Sequence, residues 1–330
     1  MSALAPLLQA FFVDRLVRQR DSSPHTIASY RDSFRLLLEF LREQTGKAPS
    51  KLQLEDLDPT RITAFLVYLE NDRGNSVRTR NARLIAIHSF FHFAALKAPE
   101  SAELIARVLS IPEKRYESTL ISYLIEPEID ALLAAPDRST WTGRRDHALL
   151  LTAMQTGLRA SELASLRCQD LNLAGGWIRC EGKGRKERCT PLNGITKQVL
   201  RVWLRELDGE PADPLFPNQA GGHLTRGAIW RLVVKHTTTA REHCPALAGK
   251  NITPHVLRHT AAMRLLRAPT PVDTATIALW LGHETLDSTN KYLHADMELK
   301  RRAIDRTTPP NTKPGRYRAT DKLLAFLENL

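Results

Sequence analysis

For most of its length the chain places apolar residues with a helical period. Residues 3 to 20 predict an amphipathic helix. Ser22-Ser23-Pro24 then supplies a serine cap and a proline at the first turn, and Ile27, Tyr30, Phe34, Leu37 and Leu41 follow a three-and-four spacing that makes one apolar stripe. Asp58-Pro59 opens a third helix bearing Ile62, Phe65 and Leu69, and Ser76 caps a fourth whose Leu84, Ile87 and Phe91 share a face. The period fails over Ile111-Pro112-Glu113-Lys114-Arg115-Tyr116-Glu117-Ser118, a polar run of the kind that links domains. The pattern therefore predicts a helical domain over 1–110, a linker over 111–124, a second domain over 125–308 and a tail over 309–330.

In the second domain, Ile129, Leu132 and Leu133 mark one helix, and Leu149, Leu150 and Ala153 mark another that Gly157 ends. Leu171-Asn172-Leu173, Trp177 to Cys180 and Arg188 to Leu192 read as short strands, the last two joined by a glycine-containing turn. Residues 195–207 and 225–242 read as helices separated by the proline and glycine loops of 211–222. Pro254 opens a further helix, Trp280-Leu281-Gly282-His283 closes one on glycine, and Asp287 or Ser288 begins the next. The fold class expected is mainly α with a small antiparallel β-sheet, in two domains. After Pro309-Pro310, Pro314 and Gly315, Thr320-Asp321 caps a final short helix with the stripe Leu323, Leu324, Leu327 and Leu330; a helix that short must bury its stripe against something.

Composition narrows the partners. With 330 residues the chain can bury two cores, and 42% hydrophobic with 25% charged content is ordinary for a globular protein. Forty-seven Lys and Arg against 36 Asp and Glu leave +11, which points to a polyanionic partner. Residues 1–120 hold 17 bases and 14 acids, so both parts are basic, at +3 and +8. The cysteines at 168, 180, 189 and 244 lack the close pairing of a metal knuckle and read as reduced thiols, a zinc site being the minor alternative. No secretory start and no run of about 18 apolar residues is present, so a cytoplasmic protein that meets no membrane is expected.

The candidate chemistry is cationic. His255 and Arg258 fall three apart on one helical face, followed by His283 and Tyr292. A phosphodiester undergoing transfer needs fixed positive donors, and the planar fork of arginine matches its oxygens. Arg159 follows Gly157 directly, with Glu162 three residues on to hold it. Lys183 sits on the predicted hairpin turn, where an ammonium could protonate a leaving oxygen, with Lys186 as rival. Arg73, Arg78, Arg80 and Arg83 cluster at the start of the fourth helix with no acid between Arg73 and Arg83, where positive charge opposes the helix dipole; phosphate contact explains them better than a solvated helix end. Any one of these residues alone has an ordinary structural reading, and the group is judged together.

Thr156-Gly157-Leu158-Arg159-Ala160-Ser161-Glu162-Leu163, Gly182-Lys183-Gly184-Arg185-Lys186-Glu187-Arg188, Pro254-His255-Val256-Leu257-Arg258-His259-Thr260, Leu281-Gly282-His283 and Tyr292-Leu293-His294 resemble, in order, the boxes of the tyrosine recombinases, or phage-type integrases. The four N-terminal helices resemble that family's SAM-like core-binding domain, which grips one face of DNA. Arg267-Ala268-Pro269-Thr270-Pro271 departs from the short glycine turn usual there. The resemblance implies a site-specific recombinase of paired sites on double-stranded DNA, serving integration, transposon movement or dimer resolution. Arg159, Lys183, His255, Arg258, His283 and Tyr292 would be catalytic, Glu162 and His259 would support them, and neither metal nor cofactor would be needed. It also implies a tetramer on DNA, open to related recombinases and joined by the tail helix in trans, the alternative being a tail that folds back on its own domain. A catalytically silent DNA-binding regulator and a type IB topoisomerase-like enzyme are the alternatives.

Overall fold

A computed structural model describes residues 3–116, 121–182, 187–282, 289 and 292. Two compact units divide the chain, Met1–Thr119 and Leu120–Leu330. The expectations for Lys183, Lys186, His283, the helix start at Asp287 or Ser288, and the tail from 309 onward lie outside the described residues.

The first unit is helical: α1 (Leu4–Ala10), α2 (Pro24–Thr45), α3 (Pro59–Asn71), α4 (Val77–Ala94) and α5 (Ala102–Leu109). Each predicted cap is made, with Ser23 accepting from the Thr26 amide, Asp58 from Arg61 and Ser76 from Thr79. The first predicted helix differs in form, because after α1 the chain continues in π-type hydrogen bonding over Phe11–Gln19. Phe11 and Leu16 are the buried residues of that stretch, and five-residue spacing suits the wider π turn better than a 3.6-residue period. Phe11, Phe34 and Phe90 meet pairwise, with ring centroids 5.3 to 6.2 Å apart. Helix α5, absent from the sequence reading, buries Ile105 and Val108 against this core.

The second unit holds α6 (Glu126–Ala134), α7 (Trp141–Thr156), α8 (Ala160–Ser165), α9 (Gly194–Leu207), α10 (Arg226–His243), α11 (Pro254–Leu266) and α12 (Thr274–Leu281). Three strands, β1 (Leu171–Asn172), β2 (Trp177–Glu181) and β3 (Glu187–Pro191), form an antiparallel sheet in the order β1-β2-β3. Its register sets Cys180 opposite Arg188 and Ile178 opposite Thr190. Ile178, Cys180 and Thr190 are buried, so this face of the hairpin looks inward. Helix α11 packs on α7 and on α12, and the Trp280 indole donates to the Thr156 carbonyl at 3.1 Å. Among the described residues no helix is long and apolar enough to cross a membrane.

Candidate active site

Two helix ends build the site. Helix α7 ends on Gly157 at φ 67° and α12 ends on Gly282 at φ 65°, both in the left-handed region that glycine enters without a Cβ penalty. Their orphan carbonyls converge on a single side chain. Thr253 caps α11 and Pro254 takes its first turn, which carries Arg258 inward to 4% exposure. Its guanidinium donates to the Gly157 carbonyl and to the Leu281 carbonyl, each at 2.7 Å. The negative ends of two helix dipoles therefore surround this cation and offset part of its desolvation. Burial, and then repulsion from Arg159, still bring the Arg258 pKa down to about 10, so the group stays charged at neutral pH.

Arg159 precedes α8. Its amide donates to Glu162 Oε2 at 2.7 Å, its Nη1 donates to Oε1 at 2.8 Å, and its Nη2 reaches the Gly282 carbonyl at 3.2 Å. The side chain keeps 30% exposure, leaving part of the guanidinium open to a ligand. Glu162 itself is buried at 3% and takes a second cation, Arg188 of β3, through bonds of 3.0 and 2.7 Å. Arg188 also lies against Gly282, where a Cβ would come within 2.8 Å of its Nη1. The sequence reading gave Arg188 no role. The signal was present, since Arg188 is in phase with the buried Thr190 on β3, and a cation on the inner face of a strand requires an acid. Cys180, opposite Arg188, is an inert neighbour whose thiol burial pushes up to about 11.

Tyr292 is fully buried, packed among Ala262, Met263, Leu266, Ile277 and Leu281. Its hydroxyl and His259 Nδ1 are 3.1 Å apart, with the rings edge to face at 5.6 Å. Burial pushes the phenol pKa up to about 12, against the pull of Arg258 and then Arg159, which lie close enough to favour its anion. His255 stands on the exposed side of the first turn of α11. The structure thus brings Arg159, Glu162, Arg258, His259 and Tyr292 together.

The N-terminal arginines divide. Arg73 and Arg78 are exposed and Arg83 is half-buried, its charge opposed by burial and then by nearby Arg73. Arg80 differs from the other three: it is 5% exposed, and its Nη1 donates to Asn81 Oδ1 at 3.0 Å and to the Pro112 carbonyl at 3.2 Å. It fastens the segment after α5 to α4, so no phosphate can reach it in this arrangement. The cause lies in its phase, because Arg80, Leu84, Ile87 and Phe91 form one helical stripe facing the core.

Comparison with known proteins agrees with this architecture. The profile of the phage integrase family matches residues 122–298, and that of the phage integrase N-terminal SAM-like domain matches residues 10–98. A Sinorhizobium fredii protein, y4rC, provisionally named an integrase/recombinase, is 52% identical over 330 residues, covering 100% of this chain and 99% of its own. Tyrosine recombinase XerC of Pelobacter propionicus is 32% identical over 317 residues, covering 95% and 99%. The crystal structure of XerH site-specific recombinase, bound to palindromic difH substrate in a post-cleavage complex, shares the fold with a TM-score of 0.69 at 24% identity, over 87% of this chain and 81% of that one. A mainly helical, two-unit chain with a three-stranded sheet, two buried helix ends gripping Arg258 and these matches across nearly its whole length belongs to the phage integrase family of tyrosine recombinases.

Proposed function

We propose that this recombinase cleaves and rejoins double-stranded DNA through a covalent 3′-phosphotyrosine at Tyr292. The observation that carries the reading is the closeness of the Tyr292 phenol to two arginines, one of them buried and held by helix ends, the other partly open. Such a fixed pair suits the nonbridging oxygens of a phosphodiester, whose charge grows most demanding in the transition state. In the step proposed, the Tyr292 oxygen bonds to phosphorus as the bond to the 5′-oxygen breaks. The phenol proton passes to a base, and the departing 5′-oxygen receives one from Lys183. The ester keeps the energy of the broken bond, so the reverse attack by a 5′-hydroxyl of the partner strand reseals the duplex without a nucleotide.

Tyr292 at zero exposure is beyond the reach of DNA, so attack requires a rearrangement that brings its oxygen to the surface. The resemblance assigns charge stabilisation or proton handling to His255 and His283. It also supplies the finer picture of paired DNA sites and a tetramer linked by tail helices. The relatives named XerC and the XerH–difH complex support DNA as the partner.

The test is Tyr292→Phe, trapped on nicked duplexes of randomised sequence. The variant should hold DNA as the wild type does and yield no covalent adduct. An adduct that persists in Tyr292→Phe would overturn the assignment.

A further inference from the structure

Two cations share one buried carboxylate beside the proposed reaction centre, and the charge count raises a question. Glu162 alone, 2.8 Å from Arg159, would cancel the positive charge that Arg159 is to offer phosphate. Arg188 alters that balance. Both of its terminal nitrogens lie on Glu162, and its side chain is only 13% exposed. Arg159, Arg188 and Arg258 against Glu162 leave a net charge of two at the site; without Arg188 one charge remains, and Glu162 turns wholly toward Arg159. The same guanidinium rests on Gly282, whose carbonyl accepts from Arg159.

We propose that Arg188 is a positioning residue that acts through Glu162, taking up half of that carboxylate so that Arg159 stays oriented yet keeps its positive charge for the scissile phosphate. This rests on the recombinase reading above. The bidentate fork matters, because two guanidinium nitrogens take one carboxylate oxygen each in a fixed plane, whereas a lysine would supply the charge without that planar geometry.

The duplex recovered by trapping the wild type on randomised nicked DNA serves as substrate, and adduct formation is measured at saturating protein, with the dissociation constant measured separately. Arg188→Gln should slow adduct formation at least tenfold and change the dissociation constant by less than about threefold, since the loss is of transition-state stabilisation. The decisive variant is Glu162→Gln with Arg188→Gln. Removing the carboxylate as well restores the net charge to two, so the double variant should be several-fold faster than Arg188→Gln alone. A methylphosphonate at the scissile position, which carries no nonbridging negative charge, should narrow the gap between wild type and Arg188→Gln.

A merely structural strut predicts the opposite: a double variant as slow as the single one or slower, and a gap unchanged on methylphosphonate; either result overturns the proposal. Should Arg188→Gln fail to show a cooperative melt, Arg188→Lys carries the test. A loss of a few-fold there supports the proposal, and a loss as large as that of Arg159→Gln sinks it. A wild type that forms no adduct on any duplex would instead refute the recombinase reading, and this inference would fall with it.

Discussion

Burial by itself would raise the pKa of the Glu162 carboxyl, but the hydrogen bonds from Arg188 and from the Arg159 amide and side chain outweigh it and hold the group below its ordinary 4.5. A folded pKa below the unfolded one means that ionised Glu162 contributes stability that is complete above pH 4.5 and is lost as pH falls through the lowered value. Glu162→Gln leaves the partly exposed Arg159 and the largely covered Arg188 without their buried counter-ion, at a cost below the roughly 3–5 kcal/mol of a fully buried pair near neutral pH. Denaturant midpoints for the two proteins, measured from about pH 7 down to pH 3, should therefore converge below 4.5. A gap of constant size through that range would show that the ionisation of Glu162 is not what stabilises the fold. Arg159 and Arg258 differ in what they can give a ligand: the second is buried and commits two of its five N–H donors to carbonyls, whereas the first stays partly exposed.

The ends of elements were the legible part of the sequence, because a cap is a local device. Ser23, Asp58 and Ser76 lie within three residues of the amides they satisfy, and Gly157 announces the end of α7 on its own. The strands of the sheet were equally readable, since alternation and a glycine turn define them. What stayed hidden spans greater separations. Arg188 meets Glu162 across 26 positions, and Arg258 reaches Gly157 across 101. No periodicity reports such partners. Tyr292 and His259 were each assigned to the site by resemblance, but their contact and the complete burial of the phenol were not foreseeable, because they depend on the packing of α11 against α12.

The glycine at the end of α7 gives that element a measurable weight. At Gly157 an added Cβ would sit 2.6 Å from Leu281 Cδ2 and 3.2 Å from the Ala261 Cβ, in a conformation that L residues rarely adopt. Gly157→Ala should cost about 1–2 kcal/mol for the dihedral and about 1–3 kcal/mol more for overpacking between α7, α11 and α12. Gly249, at φ 77° with nothing within 4 Å, is the control, and its alanine variant should show the dihedral part alone. Equal losses in thermal melts of the two variants would mean that the helix ends are not packed as described. A loss at Gly157 should also reach the site, because the displaced carbonyl is one of the two that hold Arg258.

On the scale of the whole chain, the +11 charge is spread over both units, but the arginines at the start of α4 are concentrated and differ in kind. Arg73, Arg78 and Arg83 face solvent wholly or in part, whereas Arg80 serves the interior. Burial and repulsion from Arg73 and Arg35 act on Arg83 against the attraction of Asp32, and crowding of like charge at a helix N-terminus is costly for folding where anions relieve it only in part. If phosphate completes that relief, each contact releases counterions and adds about 0.9 to the slope of log affinity against log salt. Replacing Arg73, Arg78 and Arg83 together with alanine should weaken binding to duplex DNA and reduce that slope by about 2 to 3. Arg80→Ala should leave the slope nearly unchanged and lower the melting temperature instead, since it breaks the bonds to Asn81 and Pro112. The two variants thus exchange phenotypes, one in salt dependence and the other in stability. An unaltered slope in the triple variant would return these arginines to a solvated helix end, and a reduced slope in Arg80→Ala at full stability would mean that its burial gives way when DNA is bound.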